Sequence, residues 1–380
     1  MRSDRSKISQ NIVHAYRARA KQTAKAGQIF DRTIFMDDLS GVSCVDSCEK
    51  QQSNYREVLT DFLNADFSDL EKKKIIQSLT FEESIDTKPK KSLIAQLGVQ
   101  FCDLEEIEEV IDRLTNEITY LQGHIDLEFP KTDLKAIDYA TDLSKDGLKY
   151  IRENCYGLCP VDFLIGELQP HNAFNAQVVT DQSGAIVCEI PGHSTISPSF
   201  AYIIIHEIMG HVLHFTQLGS NSTLKELSPH LLCLSIHTHE KFFIEAIAQL
   251  ITKFMLLKSR WSFPGKEMAL LSLLKHERNL AAMHYLFGEI IEGTMSSSEA
   301  AARYISYGKI DQDAAAFAKR FDVTVSSVFE TSVMMNYYPS LRAMKPILDL
   351  TESRFFGMLP QLLTTYFTPE TLTEFVRENK

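Results

Sequence analysis

Apolar residues recur every three to four positions along most of this chain, and that rhythm predicts helices. Leu104-Glu105-Glu106-Ile107-Glu108-Glu109-Val110-Ile111 shows it plainly, with acids filling a solvated face. Residues 1–83 and 98–152 share this charged, helical patterning, and the polar stretch 84–92, which contains Pro89, reads as a linker between them. The rhythm changes between 160 and 190. Residues 173–179 and 185–190 are alternating or apolar runs around Asp181-Gln182-Ser183-Gly184, which predicts a hairpin. Beyond 195 the helical period returns, predicting helices over 266–291, 297–307, 311–321 and 323–335. Pro339, Pro346 and Pro360 punctuate the last helices, and Thr368 caps a short final one. The fold class is therefore mostly α with a small β-sheet (α+β). Two regions follow, a helical one over 1–90 and a second over 91–380 that carries the sheet near 160–190.

One helix of the second region departs from the pattern. Ser197 can cap it and Pro198 can open it, after which Phe200, Ala201, Tyr202, Ile203, Ile204 and Ile205 run straight into His206-Glu207-Ile208-Met209-Gly210-His211. Gly219 offers a stop. Two imidazoles and a carboxylate in so apolar a helix cost several kcal/mol unless each finds a partner, and a metal ion supplies one. Zinc hydrolases carry two histidines on one helix, with a glutamate beside the first acting as general base. Their usual spacing is four; here it is five. At about 100° per residue, a gap of five turns the second ring roughly 140° from the first, against roughly 40° for a gap of four. A wide turn of the π type absorbs the extra residue, and Gly210 relieves the crowding beside it.

A catalytic zinc site needs a third protein ligand and an open position for water. Within residues 239–257 Glu245 is flanked on both sides by apolar residues, and a lone buried carboxylate is commonly resolved by binding a dication. Glu240, near the start of the same helix beside His237 and His239, competes, although an N-terminal acid is already favoured by the helix dipole.

These residues resemble the gluzincin class of zinc metallopeptidases, in which two histidines on one helix and a glutamate on a later helix hold the metal. The six-residue motif with Gly before the second His is similar to that of dipeptidyl peptidase III. His206-Glu207-Ile208 followed by His211-Val212-Leu213 resembles the tubulin tyrosine carboxypeptidase-like family, and Glu245-Ala246-Ile247-Ala248 is similar to a bacterial carboxypeptidase-like family with an HExxPGHH motif. The proline and doubled histidine of that motif are absent here. The resemblance spans roughly 160–345 and implies a zincin-like metallopeptidase architecture. His206, His211 and Glu245 would be Zn²⁺ ligands, and Glu207 the base of a peptide hydrolysis run as a carboxypeptidase-like exopeptidase on a peptide or protein terminus. Such a reaction also wants a donor for the developing oxyanion, with His276, His284, Tyr337, Tyr338 and Arg342 as candidates. Tyr338 is taken as the donor, and Arg342, with Lys345 behind it, as the cation that grips a substrate carboxylate.

Composition narrows the alternatives. A net charge of −11 over 380 residues argues against a nucleic-acid surface. No stretch reaches the eighteen or so apolar residues of a membrane span, and the polar amino-terminal residues lack an apolar leader core, so a cytoplasmic protein is expected. Seven cysteines, an odd number, suit free thiols, and the pairs Cys44/Cys48 and Cys155/Cys159 read as unrelated thiols. Oligomeric state is not legible. The competing reading is a helical binding or effector-like protein that keeps the scaffold without turnover; the presence of Glu207, which a relic would not need, favours catalysis.

Overall fold

The computed structural model describes residues 90–96, 99–125, 134–167, 176–180, 186–190, 196–222, 233–234, 240–308, 314–326 and 328–379, together with Ile8, Ile34 and Phe35. The expected helical region over 1–90 therefore lies almost wholly outside the described residues, as do Cys44, Cys48, His237 and His239.

Strand β1 (Ile34–Phe35) comes first, followed by helices α1 (Lys90–Gln96), α2 (Leu104–Gln122) and α3 (Ala136–Asn154). Three short strands come next, β2 (Leu164–Glu167), β3 (Gln177–Thr180) and β4 (Ile186–Ile190). A continuous rod then runs from α4 (Pro198–Ile204) through a π-helix (Ile205–Val212) into α5 (Leu213–Gly219). After β5 (Cys233–Leu234), the rest is helical: α6 (Glu240–Leu257), α7 (Lys266–Glu292), α8 (Ser297–Gly308), α9 (Ala314–Ser326), α10 (Val328–Leu348), α11 (Glu352–Thr364) and α12 (Pro369–Glu378). The protein is mostly helical with a small sheet, as the apolar rhythm implies.

Local chemistry explains several boundaries. Asp103 accepts from the Glu105 and Glu106 amides and so starts α2; Ser197 accepts from Phe200 N ahead of Pro198. Thr368 and Thr371 form a reciprocal capping box at α12. Elsewhere the outcome differs from the pattern. Lys90, Lys91 and Ser92, expected in a linker, open α1 because Leu93 and Ile94 behind them are buried in the core. The helices expected over 311–321 and 323–335 become α9 and the longer α10, which contains Pro339 and Pro346 instead of stopping at them; Pro360 likewise lies inside α11.

The expected hairpin forms as β3 and β4, antiparallel with Val178 opposite Cys188. β4 also pairs in parallel with β2, giving the order β2-β4-β3. The strand at 186–190 is thus central in the sheet, and its backbone groups are taken up on both sides. Both β3 and β4 lie against the π-helix.

Two large apolar cores form among the described residues, with a smaller cluster of Leu114, Ile118, Leu271 and Leu274 between α2 and α7. The first gathers α3, the sheet, the α4–π–α5 rod, α6, α11 and α12; the second gathers α1, α2, α7, α8, α9 and part of α10. Helix α10 belongs to both, giving Met335 and Tyr338 to the second and Met344 and Ile347 to the first. Pro339 has no N–H, so the Met335 carbonyl four residues earlier loses its helical donor. His284 of α7 supplies one instead, donating from Nδ1 to Met335 O at 2.8 Å while Nε2 accepts from Cys102 N at 3.4 Å.

That arrangement requires a neutral imidazole, and burial pushes His284 down to about 4 from an ordinary value of 6.5. A base with a lowered folded-state pKa contributes stability that is complete above its unfolded pKa and is lost as pH falls from about 6.5 toward 4, at no more than about 1.4 kcal/mol per pH unit. Urea unfolding should therefore show a lower midpoint at pH 5 than at pH 7. His284→Gln, less stable at pH 7, should lose less between the two pH values; equal losses in both proteins would rule this linkage out.

Candidate metal centre

The π-helix decides the geometry of the motif. With hydrogen bonds running from residue i to i+5, residues five apart lie one turn above each other, so His206 and His211 share a face that an α-helix would deny them. Their rings stand 4.8 Å apart, centroid to centroid, and nearly perpendicular. Gly210 lets that turn sit against α6. A Cβ placed on it would come within 2.7 Å of Ala248 Cβ and 2.8 Å of Ala248 Cα. On the α3 side, a Cβ on Gly147 would meet the end of Met209, so the π-helix is clasped from two directions.

Close approach to α6 brings Glu245 between the two rings. His206 Nε2 is 3.4 Å from Glu245 Oε2, and His211 Nε2 is 3.5 Å from Glu245 Oε1. All three residues are largely buried, and their ligand atoms lie within 4.8 Å of one another. A tetrahedral zinc with bonds of about 2.1 Å would hold its ligand atoms about 3.4 Å apart. The hydrogen-bond pattern also fits a cation. Thr252 Oγ1 donates to Ala248 O at 2.7 Å, so at 3.4 Å from His206 Nδ1 it can only accept. The proton then sits on Nδ1 and the lone pair on Nε2, facing Glu245 Oε2, which has no hydrogen-bond donor among the described residues. Two acceptors that close need a proton or a metal ion between them.

Electrostatics support the same assignment. Burial pushes His211 down to about 3, keeping it neutral as a ligand must be. Burial alone would lower His206, but the Glu245 carboxylate beside it wins and raises it. Burial would raise Glu245, yet the Lys241 ammonium, with His211 next, holds it well below the usual carboxylate range. Glu207 is raised to about 7, chiefly by burial, with His206 pulling it back. Its charge is felt by Cys188 on β4 and by Tyr337, so it lies between the sheet side and α10.

The structure thus brings together His206, Glu207, His211 and Glu245. It does not bring Tyr338 or Arg342 to them. The Tyr338 ring packs 5.6 Å from His284 in the second core, and Arg342 pairs through two short contacts, 2.7 and 2.6 Å, with Glu106 on α2. Both expected roles are corrected by helical phase: the neighbour Tyr337 is the one turned toward the site. Lys241 Nζ donates to Tyr337 Oη at 3.0 Å and to Glu245 Oε1 at 2.5 Å. His276 is also close, its ring 5.4 Å from Tyr202 and its imidazole lowered to about 4 by burial, then by the neighbouring His206. Lys241 was missed; its signal was its place one turn before Glu245 on the same apolar helix. His214, three residues past His211, is buried against Phe243 and has no hydrogen-bond partner at either nitrogen.

No known protein family and no curated protein matches this chain. Solved structures do. One is "the putative lipoprotein from Colwellia psychrerythraea", with a TM-score of 0.54 at 12% identity over 90% of this chain; the chain spans 64% of that protein's length. Another is "a putative lipoprotein of unknown function from Shewanella oneidensis", with a TM-score of 0.46 at 14% identity over 83% of this chain and 72% of the other. At such identity the Colwellia protein shares a fold and nothing further. Two expectations are corrected here. Membership of a gluzincin peptidase family is overturned, since no family matches and the Colwellia protein that shares the fold is described only as a "putative lipoprotein". The expectation of a cytoplasmic protein is also set aside, because the Colwellia protein that shares this fold is itself described as a "putative lipoprotein". No helix among the described residues is long and apolar enough to cross a membrane.

The contact between Gly210 and Ala248 can be tested directly. Ala in place of Gly normally favours a helix, but Gly210→Ala should destabilise by on the order of 1–3 kcal/mol through overpacking and weaken divalent-metal binding. Adding Ala248→Gly should restore part of both, as read by thermal unfolding and metal titration; no recovery would place the cost elsewhere.

Proposed function

We propose that this chain is a metal-dependent peptidase, with zinc held by His206, His211 and Glu245. The carrying observation is that His206 Nε2 faces, at 3.4 Å, the buried Glu245 Oε2, which has no hydrogen-bond partner among the described residues. Two neutral imidazoles and one carboxylate leave a coordination position open and suit zinc, although manganese or cobalt would accept the same donors. A divalent ion held there supplies Lewis-acid polarisation of a carbonyl and a water acidified toward neutrality.

The chain's own groups do the rest. Glu207, raised to about 7, is matched to taking a proton from water near neutral pH and returning it to a leaving amine. Tyr337 accepts a hydrogen bond from the Lys241 ammonium, which leaves its own O–H free to donate toward an oxyanion. Thr252 fixes the tautomer and plane of His206. The enclosure of the cluster, with Glu245 side chain only 4% exposed, favours a substrate entering end-first, so we read the peptidase as an exopeptidase. In this reading the rod bearing both histidines, flanked by the sheet and by the third-ligand helix, is a zincin-like arrangement. One observation favours the non-catalytic reading, namely that Lys241 already neutralises Glu245 without any metal.

Metal content decides between them. Mass spectrometry on untagged protein should find about one zinc per chain, lost in His211→Ala. Glu207→Gln should retain the ion while peptide hydrolysis falls by on the order of 10²–10⁴. Tyr337→Phe should lower kcat by on the order of 10² or more with little change in KM. A parent protein that takes up no metal even after zinc is added back would sink the peptidase reading.

A further inference from the structure

Lys241 is an unusual neighbour for a metal ligand. It lies one turn before Glu245 on α6, its side chain is 5% exposed, and its ammonium is 2.5 Å from Oε1 of that carboxylate. Its other contact is Tyr337, by the hydroxyl at 3.0 Å and by the ring face at 4.2 Å from the centroid. An ammonium buried this deeply is tolerated only because the Glu245 carboxylate beside it balances it.

The two oxygens of Glu245 are therefore unlike. Oε1 is engaged by Lys241, whereas Oε2 has no donor among the described residues and faces His206 Nε2. The Lys241 ammonium and the Glu245 carboxylate cancel each other before any ion enters. A dication meets a carboxylate whose charge is already spent, and it meets a fixed positive charge one hydrogen bond away.

Resting on the metal-site reading above, we infer that Lys241 is a positioning residue that doubles as the metal's resident competitor. It aims Glu245 in the metal-free protein, restricts it to coordinating through Oε2, and weakens divalent-ion binding, so the centre exchanges its metal readily. A merely structural lysine would behave in the opposite way, since removing it would let Glu245 wander and affinity would fall.

The test uses the full-length chain and zinc alone, titrated in competition with a chelating dye. Lys241→Gln keeps a hydrogen-bond donor for Oε1 and removes the charge; Lys241→Met removes both. Each should bind zinc at least ten-fold more tightly than the parent, and the metal-free Lys241→Met protein should melt at a lower temperature that zinc restores. As a check on the unaltered protein, zinc-loaded parent challenged with excess chelator should lose its ion within minutes. Zinc binding by the parent with equal or weaker affinity in the folded variants overturns this inference alone, as does retention of the ion by the parent for hours. Binding by neither parent nor folded variants overturns it together with the metal reading.

Discussion

Five-residue winding of the backbone between Ile205 and Val212 is the constraint on which the site depends. An α-helix through the same sequence would send His206 and His211 to different faces, one toward α6 and one into the apolar core. A π-helix this long is rare because its wide turn packs poorly along its own axis. Here outside contacts supply what the axis lacks. Ala248 presses into the space left by Gly210, and Met209 fills the groove over Gly147, so the loosened turn is gripped by helices on both sides. Geometry that would be costly in isolation becomes the one that packs.

From that contact the polar network follows in order. Pressing the π-helix against α6 places Glu245 within 3.5 Å of both rings, and the helical repeat of α6 then puts Lys241 one turn before it and Thr252 about two turns after. Helix α10, packed on the other side of α6, delivers Tyr337 to the ammonium. The histidines, Glu245, Lys241, Thr252 and Tyr337 are all carried on rigid helices, which is how a preorganised centre is built without flexible loops.

Much of this was legible in sequence, and the limits have physical reasons. The motif helix announced itself because charged groups cannot hide in an apolar run, and Ser197, Pro198 and Gly210 each have a narrow conformational use. Glu245 stood out for the same reason. Tyr338 and Arg342 failed because phase along α10 is set by tertiary packing: a shift of one residue turns a side chain about 100°, and sequence alone could not say whether residue 337 or 338 faced α6. Pro339 and Pro346 looked like helix ends because local propensity opposes them, yet His284 repairs the first gap from outside the helix. The central position of β4 was hidden because its parallel partner is separated from it in sequence by another strand. Lys241 was overlooked since a lysine near a helix start reads as solvated; only burial reveals it as a partner.

Helix α10 deserves its length for another reason. Its successive tyrosines look in different directions, one to the buried ammonium and the other to His284 and Arg342, and its two ends are set in two different cores. It is a party wall. Packing on the side of α2 and α7, where no candidate ligand lies, fixes the pitch of the wall and hence how far Tyr337 reaches on the other side. Residues that never approach the histidines therefore share in setting the distance at which the site operates.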